Sequence, residues 1–89
     1  MKVSFEGRGC IVTGGGHGLG RAICQKLSEL GATVWTCDLD GKELDETRAL
    51  CRGRCETRVL DIRERDGVRA FVTEAEAGAG RVDILVNNA

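Results

Sequence analysis

The sequence of 89 residues predicts an α/β fold in which four parallel strands, in the order 3-2-1-4, alternate with three helices. Three observations support this prediction. Short runs of strand-forming residues recur along the chain, stretches with helical apolar spacing lie between them, and a glycine-rich segment separates the first strand from the first helix. Right-handed crossovers then make the sheet doubly wound, and four strands make it a partial example of that architecture.

The predicted strands are short runs of β-branched and other apolar residues, which favour extended backbone. They span residues 10–13, 33–38, 57–61 and 82–86. Cys10 and Cys37 fall in the first two strands, where a cysteine acts as a small apolar residue.

The first helix is predicted from Leu19, Ile23, Leu27 and Leu30, which recur on one helical face, and Gly31 follows as its stop signal.

The second helix has a weaker apolar pattern than the first, and the third has four apolar positions. The second is predicted from residue 42 to about residue 51, with Leu44 and Leu50 as its apolar positions. The third ends in the stretch 78–80, and its apolar positions are Val68, Phe71, Val72 and Ala75.

Composition excludes several classes of function. Thirteen basic and 14 acidic residues give a net charge of −1, so no basic excess favours nucleic acid or an anionic membrane. No apolar stretch approaches the roughly 20 residues of a membrane span, and the N-terminus lacks a signal-peptide core. We therefore expect a cytoplasmic protein without nucleic-acid or membrane partners. Five cysteines without a Cys-x-x-Cys motif predict neither a disulfide framework nor a metal site.

The turn after the first strand has the composition of a phosphate-binding loop. Glycines let backbone amides approach a pyrophosphate, and the following helix adds the positive end of its dipole. The spacing is G-x-x-x-G-x-G, and no Gly-Lys-Ser/Thr follows, which argues against a phosphoryl-transfer NTPase. A flexible loop without a ligand is the alternative. The candidate cofactor-binding residues here are Gly14, Gly15, Gly16, His17, Gly18, Leu19 and Gly20.

Asp38 ends the second strand, 18 residues after Gly20, where a Rossmann-type sheet places an acid that binds the adenosine ribose. A carboxylate there also repels a 2′-phosphate. Even about 1 kcal/mol of repulsion, after solvent screening, favours NAD over NADP roughly fivefold. An ordinary turn acid is the alternative for Asp38, and Asp40 is expected to be a bystander. His17 is expected either to contact the phosphates through its backbone or to face solvent.

Four ordered motifs resemble those of the short-chain dehydrogenases/reductases, and together they cover nearly the whole chain. They are Phe5-Glu6-Gly7, Thr13-Gly14-x-x-x-Gly18-x-Gly20, Asp61-Ile62 and Asp83-Ile84-Leu85-Val86-Asn87-Asn88-Ala89. The resemblance implies that residues 14–19 wrap the pyrophosphate and the adjoining ribose while Asp38 holds the adenosine ribose. Many NADP-preferring relatives carry arginine at the position of His17, which again favours NAD here.

The resemblance also assigns roles to the ends of the third and fourth strands. Asp61 would accept from the adenine amino group and Ile62 would line the adenine pocket. Asn88 would contact a cofactor ribose, and Asn87 would fix neighbouring strands. The alternatives are a capping acid at Asp61 and a polar strand end at residues 87–88.

The family's catalytic serine, Tyr-x-x-x-Lys pair and further asparagine follow the strand-four signature. This sequence has no tyrosine, its lysines lie upstream at residues 2, 26 and 42, and Ala89 falls one residue short of the motif's glycine. We therefore expect residues 1–89 to be an NAD-binding half-domain, incomplete at the C-terminus and catalytically inactive alone. The parent would be a homo-oligomer that transfers hydride between NAD(H) and a small alcohol or carbonyl substrate.

Two alternatives remain open at the level of sequence. One is a complete, non-catalytic nucleotide-binding or interaction module, and the other is a Rossmann-like methyltransferase, which also uses a glycine turn and an acid after strand two. In the predicted order the fourth strand exposes an apolar edge, so we expect the isolated chain to be poorly soluble or partly folded.

Overall fold

The computed structural model describes residues 3–88 and confirms the predicted fold. Four parallel strands form one sheet in the order β3-β2-β1-β4, and three helices connect them. The elements are β1 (Gly9–Thr13), α1 (Gly18–Glu29), β2 (Thr33–Asp38), α2 (Gly41–Leu50), β3 (Cys55–Val59), α3 (Arg65–Ala79) and β4 (Ile84–Asn87).

Strand register brings the carboxyl ends of all four strands to one edge of the sheet. Thr13 at the end of β1 pairs with Cys37 on one side and Asn87 on the other. Asp38, the last residue of β2, pairs with Val59, the last residue of β3. The loops that leave these strands therefore start side by side, and parallel α/β sheets bind ligands at this edge.

The core lies on both faces of the sheet because alternate strand residues point in opposite directions. One buried cluster packs α1 against the sheet, and its members include Cys10, Val12, Cys24, Leu27 and Val34. The other packs α3 against the opposite face, and its buried members are Ile11, Trp35, Cys37, Phe71 and Ala75. Cys10 and Cys37 are both about 1% exposed, which confirms them as small apolar core residues.

Several element boundaries differ from the predicted ones. β3 spans Cys55–Val59 rather than 57–61, because its register against β2 begins with Val34 opposite Cys55. Asp61 therefore lies two residues beyond the strand. β4 begins at Ile84 rather than at residue 82. The end of α3 is as predicted, within the stretch 78–80: its last residue is Ala79 and the left-handed Gly80 follows as its C-cap. An added Cβ at Gly78 would collide with the Trp35 ring.

Two predicted core leucines are exposed. Leu19, in the first turn of α1, is 69% exposed, and the buried face of the helix begins instead with Gly20 and Cys24. Leu50, the last residue of α2, is 50% exposed. The buried face of α2 consists of Leu44, as predicted, and Thr47.

All five cysteines are free thiols. Burial raises the pKa of Cys24 to about 11 and raises that of Cys55 further. Residues 3–88 contain no group of three or more His, Cys, Asp or Glu side chains placed to hold a metal ion. None of the helices in this range has the length and apolar character that a membrane span requires.

Candidate cofactor-binding site

A pocket of about 350 Å³ opens at the carboxyl edge of the sheet, between the glycine loop, the end of β2 and the segment that follows β3. Its walls include eight of the eleven residues that the sequence singled out. These eight are Gly14, His17, Gly18, Leu19, Asp38, Asp61, Ile62 and Asn88, and the lining is completed by Cys37, Leu39 and Leu60. The other three, Gly15, Gly16 and Gly20, are not among its lining residues.

The glycine loop needs glycine for two separate reasons. Gly14 and Gly18 have φ angles of +72° and +57°, in the left-handed region that L side chains rarely adopt. An added Cβ at Gly18 meets no atom within 4 Å, so the space beside it is open. At Gly15 the added atom would collide with the Thr36 hydroxyl, and at Gly20 with the Gly14 carbonyl oxygen. The loop is therefore packed tightly against the protein at Gly15 and Gly20 and is open at Gly18.

The loop is anchored to the end of β2. The amide of Gly14 donates to the Cys37 carbonyl oxygen at 2.8 Å, and that of Gly15 donates to the same oxygen at 3.3 Å. The Gly16 amide donates to Oδ2 of Asp38 at 2.9 Å, and the Leu39 amide donates to Oδ1 at 2.7 Å. The Asp38 carboxylate thus has a fixed orientation although it borders an open pocket.

His17 immediately precedes α1, and its imidazole is 70% exposed, with Nδ1 3.8 Å from Oδ2 of Asp38. The side chain faces solvent, as one of the two alternatives had it, while the residue itself lines the pocket. Asp40, expected to be a bystander of the ribose site, is not among the pocket-lining residues. Its carboxylate instead accepts from the amides of Lys42 and Glu43 and so caps the N-terminus of α2.

Asp61 lies on the far side of the pocket from the glycine loop, beyond β3. Its carboxylate accepts from the Arg63 amide at 2.9 Å and from the Arg63 guanidinium at 2.8–3.2 Å. These bonds, the guanidinium first, lower the pKa of Asp61 to about 2. The carboxylate is therefore an anionic acceptor at any ordinary pH. The N-cap of α3 is Glu64, so the capping alternative for Asp61 does not describe its place.

The end of β4 is tied to the end of β1. The Asn88 side chain donates from Nδ2 to the Gly14 carbonyl oxygen at 3.2 Å, and its amide donates to the Thr13 hydroxyl oxygen at 3.0 Å. The Thr13 hydroxyl donates to Oδ1 of Asn87 at 3.2 Å. Asn88 thus lines the pocket and also supports the first residue of the glycine loop.

Sequence reasoning missed two residues that contact this loop from behind. The Thr47 hydroxyl donates to the carbonyl oxygens of Gly15 and Gly16, at 2.7 and 3.1 Å. The Arg21 guanidinium also donates to the Gly16 carbonyl oxygen. Neither residue belongs to a local motif. Thr47 contacts the loop from α2, and Arg21 contacts it through a long side chain from α1. The available signal was a polar residue at the helical spacing of Leu44, one turn later on the buried face of α2.

The pocket residues fit a dinucleotide. A glycine loop, which has no Cβ atoms to hinder a ligand, and the start of α1 both suit a diphosphate, since backbone amides and the helix dipole favour an anion. Asp38 offers oxygen acceptors to a sugar diol, and Asp61 with Ile62 offers an acceptor and an apolar surface to a base. The arrangement can hold and orient such a ligand.

The family model for the short chain dehydrogenases matches residues 8–89. A short chain dehydrogenase/reductase of Colletotrichum higginsianum is 36% identical over 91 residues, which cover 99% of this chain and 34% of that protein. The 3-oxoacyl-(acyl-carrier-protein) reductase FabG of Thermotoga maritima is 35% identical over 89 residues, covering 96% of this chain and 36% of that protein. The chain thus spans about a third of the length of these relatives.

Solved structures give the same result. A citronellol catabolism dehydrogenase of Pseudomonas aeruginosa matches with a TM-score of 0.92 and 34% identity, over 100% of this chain and 39% of that one. A metagenomic short-chain oxidoreductase in complex with NADP matches with a TM-score of 0.86 and 37% identity, over 94% of this chain and 39% of that one. The methyltransferase alternative is therefore set aside: the chain belongs to the short-chain dehydrogenase family of oxidoreductases.

Proposed function

We propose that this chain is the dinucleotide-binding part of an oxidoreductase that interconverts a small alcohol and its carbonyl compound. The bound nicotinamide cofactor would accept or supply the hydride. The observation that supports the proposal is that the glycine loop, Asp38 and the Asp61–Ile62 pair line one pocket. They would bind the diphosphate, the sugar and the base, respectively.

Each part of the pocket would have a binding task. Residues 14–19 would surround the diphosphate and the ribose next to it, with Gly15, Gly16 and Gly20 shaping the loop from behind. Asp38 would accept hydrogen bonds from the adenosine ribose hydroxyls. Asp61 would accept from the adenine amino group beside Ile62, and Asn88 would contact a cofactor ribose.

Asp38 supports a preference for NAD over NADP. Its carboxylate is only 13% exposed and lies where the adenosine ribose would bind, so a 2′-phosphate would meet a partly desolvated negative charge. Leu39 follows it and offers no positive charge in compensation. Some positive charge comes from His17, and only when its imidazole is protonated. We infer that NADPH would bind more weakly than NADH.

The proposal separates binding from catalysis. The sequence contains no tyrosine, and residues 3–88 place no lysine in the pocket wall, so the family's tyrosine-lysine proton transfer has no counterpart here. We propose that residues 1–89 bind the cofactor without turning over substrate. The longer parent would supply the acid–base groups and the pocket for the small molecule. It would be cytoplasmic and would work as a homo-oligomer.

Titration of the purified 89-residue chain with NADH, NADPH and S-adenosylmethionine tests the proposal. We expect NADH to bind with a dissociation constant roughly fivefold or more below that of NADPH, since about 1 kcal/mol of repulsion has that effect. S-adenosylmethionine should not compete. A non-catalytic module that binds another ligand would leave NADH fluorescence unchanged, and that result would refute the proposed function.

A further inference from the structure

The glycine loop is held from behind by a buried threonine of α2. Thr47 is fully buried, and its hydroxyl lies 2.7 Å from the Gly15 carbonyl oxygen and 3.1 Å from that of Gly16. The same hydroxyl oxygen accepts from Nε of Arg21 at 3.0 Å. One hydroxyl therefore joins two consecutive loop carbonyls to α2 and to α1.

Arg21 completes this contact as a second donor. Its guanidinium donates to the Gly16 carbonyl oxygen and, at 3.0 Å, to the Glu43 carbonyl oxygen. It also forms ion pairs with the carboxylates of Glu43 at 2.9 Å and Glu46 at 3.4 Å. The side chain is only 21% exposed, so it reaches α2 and the loop together from a constrained position. A guanidinium suits this task because its donors have a fixed planar arrangement.

The carbonyl contacts determine which way the loop amides point. In a trans peptide the carbonyl oxygen and the following N–H lie on opposite sides of the backbone, and the structure has no cis peptide among its described residues. Holding the Gly15 oxygen toward Thr47 turns the Gly16 amide away from α2, and this amide indeed reaches Asp38 at 2.9 Å. By the same rule, holding the Gly16 oxygen toward Thr47 turns the His17 amide away from α2.

We propose that Thr47 and Arg21 are positioning residues for the diphosphate of the bound dinucleotide. They touch no part of the ligand and act through the orientation of the peptide groups between Gly15 and His17. The inference rests on the proposed function, because it assigns these groups to a diphosphate. The adenosine end of the ligand depends on Asp38 and Asp61. Their carboxylates also accept from the Leu39 and Arg63 amides, which Thr47 and Arg21 do not contact, so this end should respond less to the loss of Thr47 or Arg21.

A purely structural role predicts something different. A buried hydrogen bond that serves only the packing of α2 would lower stability when removed and would weaken every ligand alike, in proportion to the fraction of unfolded chain. The ratio of the affinities for NADH and for adenosine therefore distinguishes the two roles. NADH carries the diphosphate, whereas adenosine carries only the base and the sugar.

The test uses the 89-residue chain with Thr47→Val, which keeps the shape, and Thr47→Ser, which keeps the hydroxyl. NADH affinity is measured by fluorescence and adenosine affinity by NMR titration. Val34→Ala is the matched control, because Val34 is fully buried in β2 but contacts the core rather than the loop. Thr47→Val should weaken NADH about tenfold, equivalent to about 1.4 kcal/mol, and adenosine less than about twofold. Thr47→Ser should restore NADH affinity to within about threefold of wild type.

Arg21→Lys gives a second variant that leaves Thr47 in place, and it should weaken NADH more than adenosine. Val34→Ala should leave the ratio of NADH to adenosine affinity unchanged. If Thr47→Val also leaves this ratio unchanged, the inference is overturned. A Thr47→Val chain that binds NADH like the wild type would also overturn it. If a soluble wild-type chain that is folded by circular dichroism fails to bind NADH, the proposed function is refuted and this inference falls with it.

Discussion

The Asp38 carboxylate accepts a hydrogen bond from the amide of Gly16, with 2.9 Å between Oδ2 and the nitrogen. This bond joins the end of β2 to the glycine loop, so the group proposed to hold a sugar also supports the groups proposed to hold a diphosphate. A carboxylate fixed before the ligand arrives loses little freedom on binding. The two halves of the proposed dinucleotide site are therefore coupled through one side chain.

The charge and the acceptor of Asp38 can be separated by substitution. Asp38→Asn removes the charge and keeps one of the two oxygens that accept from the Gly16 and Leu39 amides, so the ratio of NADH to NADPH affinity should fall by roughly fivefold. Asp38→Ala removes both and should weaken NADH further. Asp40→Asn is the control, because it keeps the cap of α2 outside the pocket wall and should leave the ratio unchanged. An unchanged ratio in Asp38→Asn would show that this carboxylate does not select the cofactor.

Two glycines with similar backbone strain should differ in function. Gly18 and Gly80 have φ angles of +57° and +80°, and an added Cβ has open space at both. Alanine at either position should lower the free energy of unfolding by about 1–2 kcal/mol, measured by denaturant titration. Only Gly18→Ala places a methyl group in the pocket, so it alone should weaken NADH binding. Equal NADH affinities in the two variants would mean that the open space at Gly18 is not the diphosphate site.

Removing the Arg63 guanidinium should raise the pKa of Asp61. The bonded carboxylate has a pKa of about 2, below the ordinary value of about 3.9. Its contribution to stability is therefore complete above about pH 4 and is lost as the pH falls through about 2. In Arg63→Gln, an NMR titration of the Asp61 carboxyl carbon should show the pKa moving back toward 3.9, the ordinary value. A titration curve identical to that of the wild type would contradict the Arg63 contact.

The apolar edge at β4 should make the chain associate. Within residues 3–88, β4 pairs only with β1, and Leu85 is 68% exposed beside it. Leu85→Lys should shift sedimentation toward monomer and sharpen thermal unfolding, because a charge on an edge strand opposes pairing. Leu50→Lys adds the same charge to an exposed position of α2 and serves as the control. If both variants, or neither, reduce association, the β4 edge is not its cause. A soluble wild-type monomer that unfolds sharply and reversibly would also oppose this prediction.

The sequence was sufficient to predict strand number and strand order, because the alternation of elements is a local pattern. It also predicted eight of the eleven pocket-lining residues, of which Asp61, Ile62 and Asn88 came from the family resemblance. The helical periodicity of Leu19 was misleading, since a leucine in the first turn can line a pocket as readily as a core. The start of β3 was misplaced because its first residue is set by pairing with β2, a contact between distant parts of the chain.

The supporting contacts could not be predicted for the same reason. Thr47 and Arg21 meet at the glycine loop only after α1 and α2 have packed together. The polar residue one turn after Leu44 marks a position on the buried face of α2, but it does not show which group it contacts there. Asp40 was expected to take no part in the ribose site and is not among the pocket-lining residues, whereas its cap of α2 follows the common pattern of an acid just before a helix. The bonded carboxylate of Asp61 does have a local sequence signal, which is Arg63 two residues later.

Chemical-shift mapping of the ¹⁵N-labelled chain during titration with NADH tests the central claim most directly. The account predicts that the largest amide shifts fall on residues 14–20, on Asp38 with Leu39, and on Asp61 with Ile62, which surround one pocket. Shifts centred on α3, around Phe71 and Val72, or no shifts at saturating NADH, would contradict it.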